Sequence, residues 1–287
     1  MKQLLILSGK GGTGKTTVAT SFIKLSNAKV FADCDVDAPN LHLLTSGMSD
    51  PKYTNYFGLP KAVIDSNKCI KCGLCKENCK FDAIENIKDY QVDWYACEGC
   101  GVCEKLCPTK AITLIPAKAG DLILYSDIDK AFSTAKLKMG SGTSGKLVTE
   151  VKKQMNSVTV KSDLAVIDGS PGIGCPVIAS LSGVDMVLIV AEPSISGIND
   201  MERIITTAQK FHTKIAVCIN KYNTNQSNTD RIIEYCKNSN IPFVGKIPFD
   251  KKAVTAINSG KSIVEIDCEA GISAKEVYKK TMDILFN

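Results

Sequence analysis

Apolar residues are distributed along this chain in two regimes. Toward both ends, short unbroken apolar runs alternate with longer stretches of helical period. Leu4-Leu5-Ile6-Leu7 reads as a strand buried on both faces, after which Val18, Ala19, Phe22, Ile23 and Leu25 keep the spacing of a helix with one apolar side. Residues 29–34 predict a second strand. Leu164-Ala165-Val166-Ile167, residues 186–191 and residues 215–219 predict three more, with a helix over residues 147–155. Such alternation predicts an α/β fold: a doubly wound, mostly parallel sheet with helices on both faces. Pro39 and the following Leu41, His42, Leu43 and Leu44 read as a turn leading to a short helix. The last apolar stretch, residues 273–286, carries Val277, Met282, Ile284, Leu285 and Phe286. It has too few cations on a clear polar face to lie on a membrane, so it is expected to pack onto the sheet core.

Between residues 59 and 119 the strand–helix grammar stops and a repeat takes over. Cys69, Cys72, Gly73, Cys75, Cys79, Ala83 and Ile84 recur 28 positions later as Cys97, Cys100, Gly101, Cys103, Cys107, Ala111 and Ile112. The duplication divides the chain into residues 1–58, 59–119 and 120–287. The middle part is expected to be a small α+β unit inserted after the second strand of the α/β domain, leaving it just past Asp33 to Asp37.

The first strand runs into Ser8-Gly9-Lys10-Gly11-Gly12-Thr13-Gly14-Lys15-Thr16-Thr17, which contains G-x-x-x-x-G-K-T from Gly9 to Thr16. Strand, glycine loop and helix in that order make a phosphate-binding loop. Backbone N–H groups from Gly11 to Thr17 close around phosphate oxygens at the positive end of the helix. Lys15 is placed for the β- and γ-phosphates, and the Thr16 hydroxyl for Mg²⁺. The second strand ends in Asp33-Cys34-Asp35-Val36-Asp37, carboxylates positioned beside that loop where Mg²⁺ and its water lie. The ordinary turn preference of Asp is the other account of them. A second glycine stretch, from Gly140 to Lys146, also spells G-x-x-x-x-G-K. It has Leu147 where the magnesium-binding hydroxyl belongs, so it reads as a flexible loop entering a helix, without a catalytic part for Lys146.

Composition adds one decisive fact. The 287 residues are 44% hydrophobic and 23% charged, as in ordinary globular proteins, but 13 are cysteine. Disulfides are rare in the cytosol, where metal ligation is the commoner use of clustered cysteines. No apolar run is long enough to cross a bilayer and the N-terminus enters a strand at once, so a cytoplasmic location without stable membrane insertion is expected. Only two histidines are present, which excludes a histidine-rich metal site. A zinc site would not explain a duplicated run of four cysteines. The spacing is that of a bacterial two-cluster ferredoxin, where the fourth cysteine of each run ligates the other cluster. One [4Fe-4S] cluster is thus expected on Cys69, Cys72, Cys75 and Cys107, the second on Cys97, Cys100, Cys103 and Cys79. Lys80 stands where proline follows the fourth cysteine, whereas Pro108 keeps the pattern; no ligand is lost. The formal charge of +5 counts thiols as neutral. Two clusters of about −2 each would bring it to about +1, so no nucleic-acid partner is expected.

With Lys10 inside it, the loop resembles that of the MinD/Mrp/ParA group of deviant Walker A ATPases, which includes the nitrogenase iron protein. The resemblance covers both ends of the chain, with the ferredoxin-like part between them. It implies that Lys10 reaches across an ATP-bound homodimer to the partner's phosphates and that Asp35 organises the attacking water. Asp168-Gly169-Ser170-Pro171-Gly172 then matches the Walker B strand and switch loop. Asp168 would hold the Mg²⁺ shell and Gly172 would let the switch amide approach the γ-phosphate. By the same resemblance Asn220 reads the adenine edge, and the Ile247-Pro248-Phe249-Asp250 turn packs against the base. Cys175 sits three residues after Gly172, where the nitrogenase iron protein has a cysteine that bridges a cluster. A buried small residue is the plainer reading there, as for Cys34, Cys218, Cys236 and Cys268. The implied cofactors are ATP, Mg²⁺ and two [4Fe-4S] clusters. The implied activity is ATP hydrolysis, in a dimer that gates electron transfer to a redox acceptor. Cluster or metal trafficking to a metalloprotein client, and MinD-like positioning with redox-sensing clusters, are the alternative functions.

Overall fold

The computed structural model describes residues 1–41 and 48–287, apart from the side chains of Ile257 and Asn258. The helix expected at His42, Leu43 and Leu44 lies outside the described residues. In chain order the strands are β1 (Lys2–Leu7), β2 (Val30–Asp33), β3 (Lys52–Phe57), β4 (Lys61–Ile64), β5 (Ile84–Asn86), β6 (Tyr90–Val92), β7 (Ile112–Ile115), β8 (Lys118–Ser126), β9 (Ala131–Leu137), β10 (Leu164–Asp168), β11 (Met186–Ala191), β12 (Lys214–Asn220) and β13 (Phe243–Ile247). The helices are α1 (Lys15–Ser26), α2 (Leu74–Glu77), α3 (Val102–Leu106), α4 (Ser144–Asn156), α5 (Cys175–Leu181), α6 (Ile195–Gln209), α7 (Gln226–Asn238), α8 (Lys251–Asn258) and α9 (Glu269–Phe286).

One sheet runs in the order β13-β12-β11-β1-β10-β2-β9-β8-β3. From β13 to β9 every pairing is parallel; β8 and β3 extend the edge antiparallel. Alternation along the central strands divides the core in two. Leu5, Leu7, Ile167, Val187 and Ile189 face α4, α5, α6 and α7, while Leu4, Ile6, Val166, Met186 and Leu188 face α1 and α9. Helix α9 packs onto this second layer through Ala270, Ala274, Val277 and Leu285; of the other apolar residues expected there, Met282 and Ile284 are half-buried and Phe286 is exposed. Cys34, Cys218 and Cys236 lie inside the core, where burial pushes their thiols up to about 12, 12 and 11. They are neutral packing residues.

Residues 61–115 stand outside the large sheet as two small antiparallel pairs, β4 with β7 and β5 with β6. The duplication is visible in the backbone. Asp65 N–H donates to Ala111 O at 2.8 Å, and its counterpart Asp93 N–H donates to Ala83 O at 2.8 Å. Lys71, Gly73 and Asp82 have positive φ, as do Gly99, Gly101 and Lys110, each 28 positions later. The unit does not leave the fold at the end of β2. It hangs from the antiparallel pair β3 and β8, whose last rung is closed by Gly58 N–H to Ala117 O at 3.3 Å.

Helix α4 starts at Ser144, three residues earlier than expected, and Lys146 is exposed on its first turn. It is tied to α5 by Lys152, whose Nζ donates to Ser180 O at 2.6 Å and Ser182 O at 2.5 Å. Burial pushes the Lys152 ammonium down to about 8 from its ordinary 10.5. Between those values the unfolded chain binds more protons than the folded one, so this group's contribution to stability rises with pH. The stability of the natural protein relative to Lys152→Met should therefore increase from pH 8 to pH 10.5, read by paired urea unfolding curves; a flat difference would refute the lowered affinity of this ammonium for its proton.

Candidate functional site

The site is assembled at the carboxyl ends of adjacent parallel strands, where an open α/β sheet presents its crevice. β1 feeds the phosphate loop, β2 ends in Asp33, β10 in Asp168 and β12 in Asn220. Gly14 caps α1 with φ 91, and a Cβ there would fall 2.1 Å from Asn220 Nδ2. Only glycine fits that conformation and that approach. Asn220 Nδ2 donates to Thr13 O at 2.7 Å, so the amide expected at the adenine edge also holds the loop. The surrounding cleft, about 690 Å³, is lined by the loop from Lys10 to Thr17, Asp35, Ser170, Asn220 and the turn from Ile247 to Asp250.

Inside it, Lys15 Nζ donates to Asp168 Oδ1 at 2.5 Å and Thr16 Oγ1 donates to Asp168 Oδ2 at 2.7 Å. Lysine, threonine and aspartate thus form one buried unit. Asp33 is fully buried and accepts from the backbone N–H groups of Asp35, Asn40 and Leu41 at 2.9, 2.8 and 3.0 Å. It shapes the turn that presents Asp35. Burial, with Asp168 close by, pushes the Asp33 carboxyl up to about 7. Asp35 is half-buried and raised for the same first reason, while Asp37 is exposed. Gly172, with φ 95, has its N–H on Ser8 O at 3.0 Å, which ties the segment after β10 to the phosphate loop. Pro248 is buried in the wall, and Asp250 is turned onto backbone, accepting from Lys252 N–H at 2.8 Å and Ala270 N–H at 3.4 Å.

Lys10 lies against its own chain. Its Nζ pairs with Glu192 Oε1 at 3.1 Å and donates to Ser194 Oγ at 3.1 Å and Ser196 Oγ at 3.3 Å. Glu192 also stands 3.9 Å from Lys221 Nζ, which donates to Gly12 O at 2.7 Å. Sequence reasoning missed Glu192. The signal was present, since it follows β11 as an acidic residue at a strand's carboxyl end, like Asp35 after β2.

The eight clustered cysteines gather into two groups. Cys69, Cys72, Cys75 and Cys107 line one small cavity; Cys79, Cys97, Cys100 and Cys103 line another. Each fourth cysteine therefore faces the other run. Ala83 N–H points at Cys79 Sγ at 3.4 Å, and its counterpart Ala111 N–H at Cys107 Sγ at 3.2 Å. Cys72 and Cys100 are exposed. Among the described residues, no three His, Cys, Asp or Glu side chains converge as the ligands of a single metal ion. Cys175 is exposed at the start of α5, not buried as the plainer reading had it. The Gly140 loop does not cover the phosphate cleft; it borders a cleft shared with Trp94, Tyr95 and Glu98.

Residues 4–263 match the family described as CobQ/CobB/MinD/ParA nucleotide binding domain. MJ0578 of Methanocaldococcus jannaschii, an uncharacterised protein, is 33% identical over 289 aligned residues, covering 99% of this chain and 97% of that one. The cell division ATPase MinD of Pyrococcus furiosus superposes with a TM-score of 0.59 at 17% identity, covering 99% of both chains. The septum site-determining protein MinD of Pyrococcus horikoshii, solved with Mg-ADP, gives 0.59 at 16% identity over 99% of this chain and 96% of its own. At such identities these two structures speak for the fold. Among the described residues no helix is long and apolar enough to cross a membrane.

Proposed function

We propose that this chain, which belongs to the CobQ/CobB/MinD/ParA nucleotide-binding family, hydrolyses ATP and couples ATP-driven pairing of two copies to electron transfer through two four-iron clusters. The observation that carries the iron–sulfur half is the crossed partition of eight thiols into two cavities of four. A zinc ion would draw four sulfurs to within about 3.8 Å of one another, from Zn–S bonds of about 2.3 Å. A cubane spreads its thiolates over four separate iron atoms, and the two cavities each offer a set of four cysteines. The N–H groups of Ala83 and Ala111 would donate to ligand sulfurs, and the left-handed residues bend each run around its cavity. Bound there, a cluster supplies one-electron storage.

In the nucleotide half, Lys15 exchanges Asp168 for the β- and γ-phosphates of ATP. Asp168, released, and Thr16 would then hold the Mg²⁺ shell, which would neutralise phosphate charge, and Asp35 would stand beside the attacking water. Asn220 keeps Oδ1 as an acceptor for the adenine amino group while Nδ2 holds the loop. Lys10 leaves Glu192 for the partner's phosphates.

The exposed Cys72 and Cys100 favour one second reading, in which a cluster is handed to a client. Iron analysis of protein purified without oxygen tests both. Resident clusters should give about eight iron atoms per chain that survive a chelator. Iron near that value but stripped by the chelator supports handover, and iron near zero refutes both.

A further inference from the structure

We propose that the thiol site of Cys79, Cys97, Cys100 and Cys103, and not its twin, is the one that senses nucleotide, with residues 138–145 carrying the signal. This rests on the iron–sulfur reading only for what the site binds; the route rests on contacts. The segment after β10 is tied to the end of β1 by Gly169 N–H to Ile6 O at 2.9 Å and to the start of the phosphate loop by Gly172 N–H to Ser8 O at 3.0 Å. Three residues on, α5 begins at Cys175. A Cβ on Gly145 would lie 3.0 Å from Cys175 Cβ and 3.1 Å from its carbonyl oxygen, so the first turns of α4 and α5 touch through a glycine. At the other end of α5, Lys152 of α4 grips the carbonyls of Ser180 and Ser182. Held at both ends, the two helices move as one body, because packed interiors transmit displacement instead of absorbing it.

The chain entering α4 then meets the second cysteine run. A Cβ on Gly140 would lie 3.7 Å from the Tyr95 ring, and one on Gly142 would lie 3.8 Å from Glu98 Oε2. From the other side, Pro60 O comes so close to Gly99 that a Cβ would fall 2.1 Å away, and Lys61 Nζ donates to Cys97 O. The Cys97–Cys100 segment is thus held against the β3–β4 connection on one side and faces the loop before α4 across a shared cleft on the other. The equivalent segment of the first run faces its own unit: Lys71 pairs with Asp89 at 2.6 Å, and a Cβ on Gly73 would meet Tyr90 OH at 3.2 Å. Thr143, where the loop becomes helix, buries a hydroxyl with no hydrogen-bond partner among the described residues. A shift of the loop is one way to give it a partner. Ordering of a switch segment by the γ-phosphate is a common trigger for such a shift. A cluster's potential follows the hydrogen bonds to its sulfurs and its exposure to solvent, so only the site so held should respond.

The chain carries a single tryptophan, Trp94, and it lines the cleft with residues 138–143. Full-length protein with a non-hydrolysable ATP analogue, compared with ADP, should change Trp94 emission and hydrogen exchange at residues 95–103, while residues 70–77 stay unchanged. Tyr95→Ala, at an exposed position, should more than halve the Trp94 response without altering ATP affinity. Lys152→Met should do the same from the α5 end. Equal responses in both segments, or none at 95–103 while residues 10–16 become protected, would overturn the proposal. Neither readout needs iron, so a response at 95–103 in iron-free protein upholds the route whether or not the iron analysis sustains the iron–sulfur reading. In iron-loaded protein, the oxidised-to-reduced ratio at fixed potential should change about tenfold at the held site alone; movement of the other site instead refutes the assignment.

Discussion

Lys15→Ala protein is expected to lose ATP affinity by about 100-fold or more, and to lose stability as well. The first effect follows from removing the cation that meets the β- and γ-phosphates. The second follows from the resting geometry, where Lys15 is the cation on a fully buried Asp168. Breaking a buried pair from one side leaves a carboxylate without its counter-charge, which costs about 3–5 kcal/mol. Adding Asp168→Asn should restore most of that stability without restoring ATP binding. Urea unfolding and nucleotide titration on the two variants separate the effects. A double variant that stayed as unstable as Lys15→Ala would show that the pair is not what holds this corner of the fold. Lys10→Ala should behave differently. Its pair with Glu192 is partly exposed and worth no more than about 1 kcal/mol, so stability and ATP affinity should hold. What should vanish is the ATP-dependent dimer and its hydrolysis, read by light scattering and phosphate release. Equal loss of ATP affinity in the Lys10 and Lys15 variants would remove the action in trans.

Cys107→Ala should remove the cluster attributed mainly to the first run, although Cys107 belongs to the second by sequence. The cavity it lines is that of Cys69, Cys72 and Cys75. Anaerobic protein should fall from about eight iron atoms to about four, with the spectrum of the Cys97, Cys100 and Cys103 site retained. Cys79→Ala should give the complementary spectrum. Loss of the Cys97–Cys103 signal in the Cys107 variant would show that the runs do not cross.

The parallel sheet and phosphate loop were legible because both depend on local order. Unbroken apolar runs specify β1, β10, β11 and β12, and a glycine at Gly14 next to a lysine specifies the turn into α1. The repeat itself was legible because a duplication repeats its own geometry, as in the paired turns at Lys71 and Gly99. Strands β3, β8 and β9 were not foreseen. Lys52–Phe57 is mostly exposed, with Tyr56 its one buried residue, so it lacks the apolar run that betrays a central strand. The resting partners of Lys10, Asn220 and Asp250 also escaped, since each depends on residues far apart in sequence: Glu192 for Lys10, Thr13 for Asn220 and Ala270 for Asp250. Charge and spacing name the residues of a site but not which of them rest against one another before a ligand arrives.

The stem formed by β3 and β8 bears on how much the sheet depends on residues 59–116. Its two strands end on one rung, Phe57 opposite Lys118, with Gly58 bonded to Ala117. Everything from residue 59 to residue 116 occupies the place of a hairpin turn. Closing a longer loop costs only about 0.6 kcal/mol per doubling of its length, so the sheet tolerates a connection of this size at its antiparallel edge. The same economy works in reverse. A two-residue Asn-Gly turn in place of residues 59–116 has the twist that a hairpin asks for. The parallel sheet is therefore indifferent to what stands on this stem, which can be lengthened, shortened or emptied without breaking a parallel pairing.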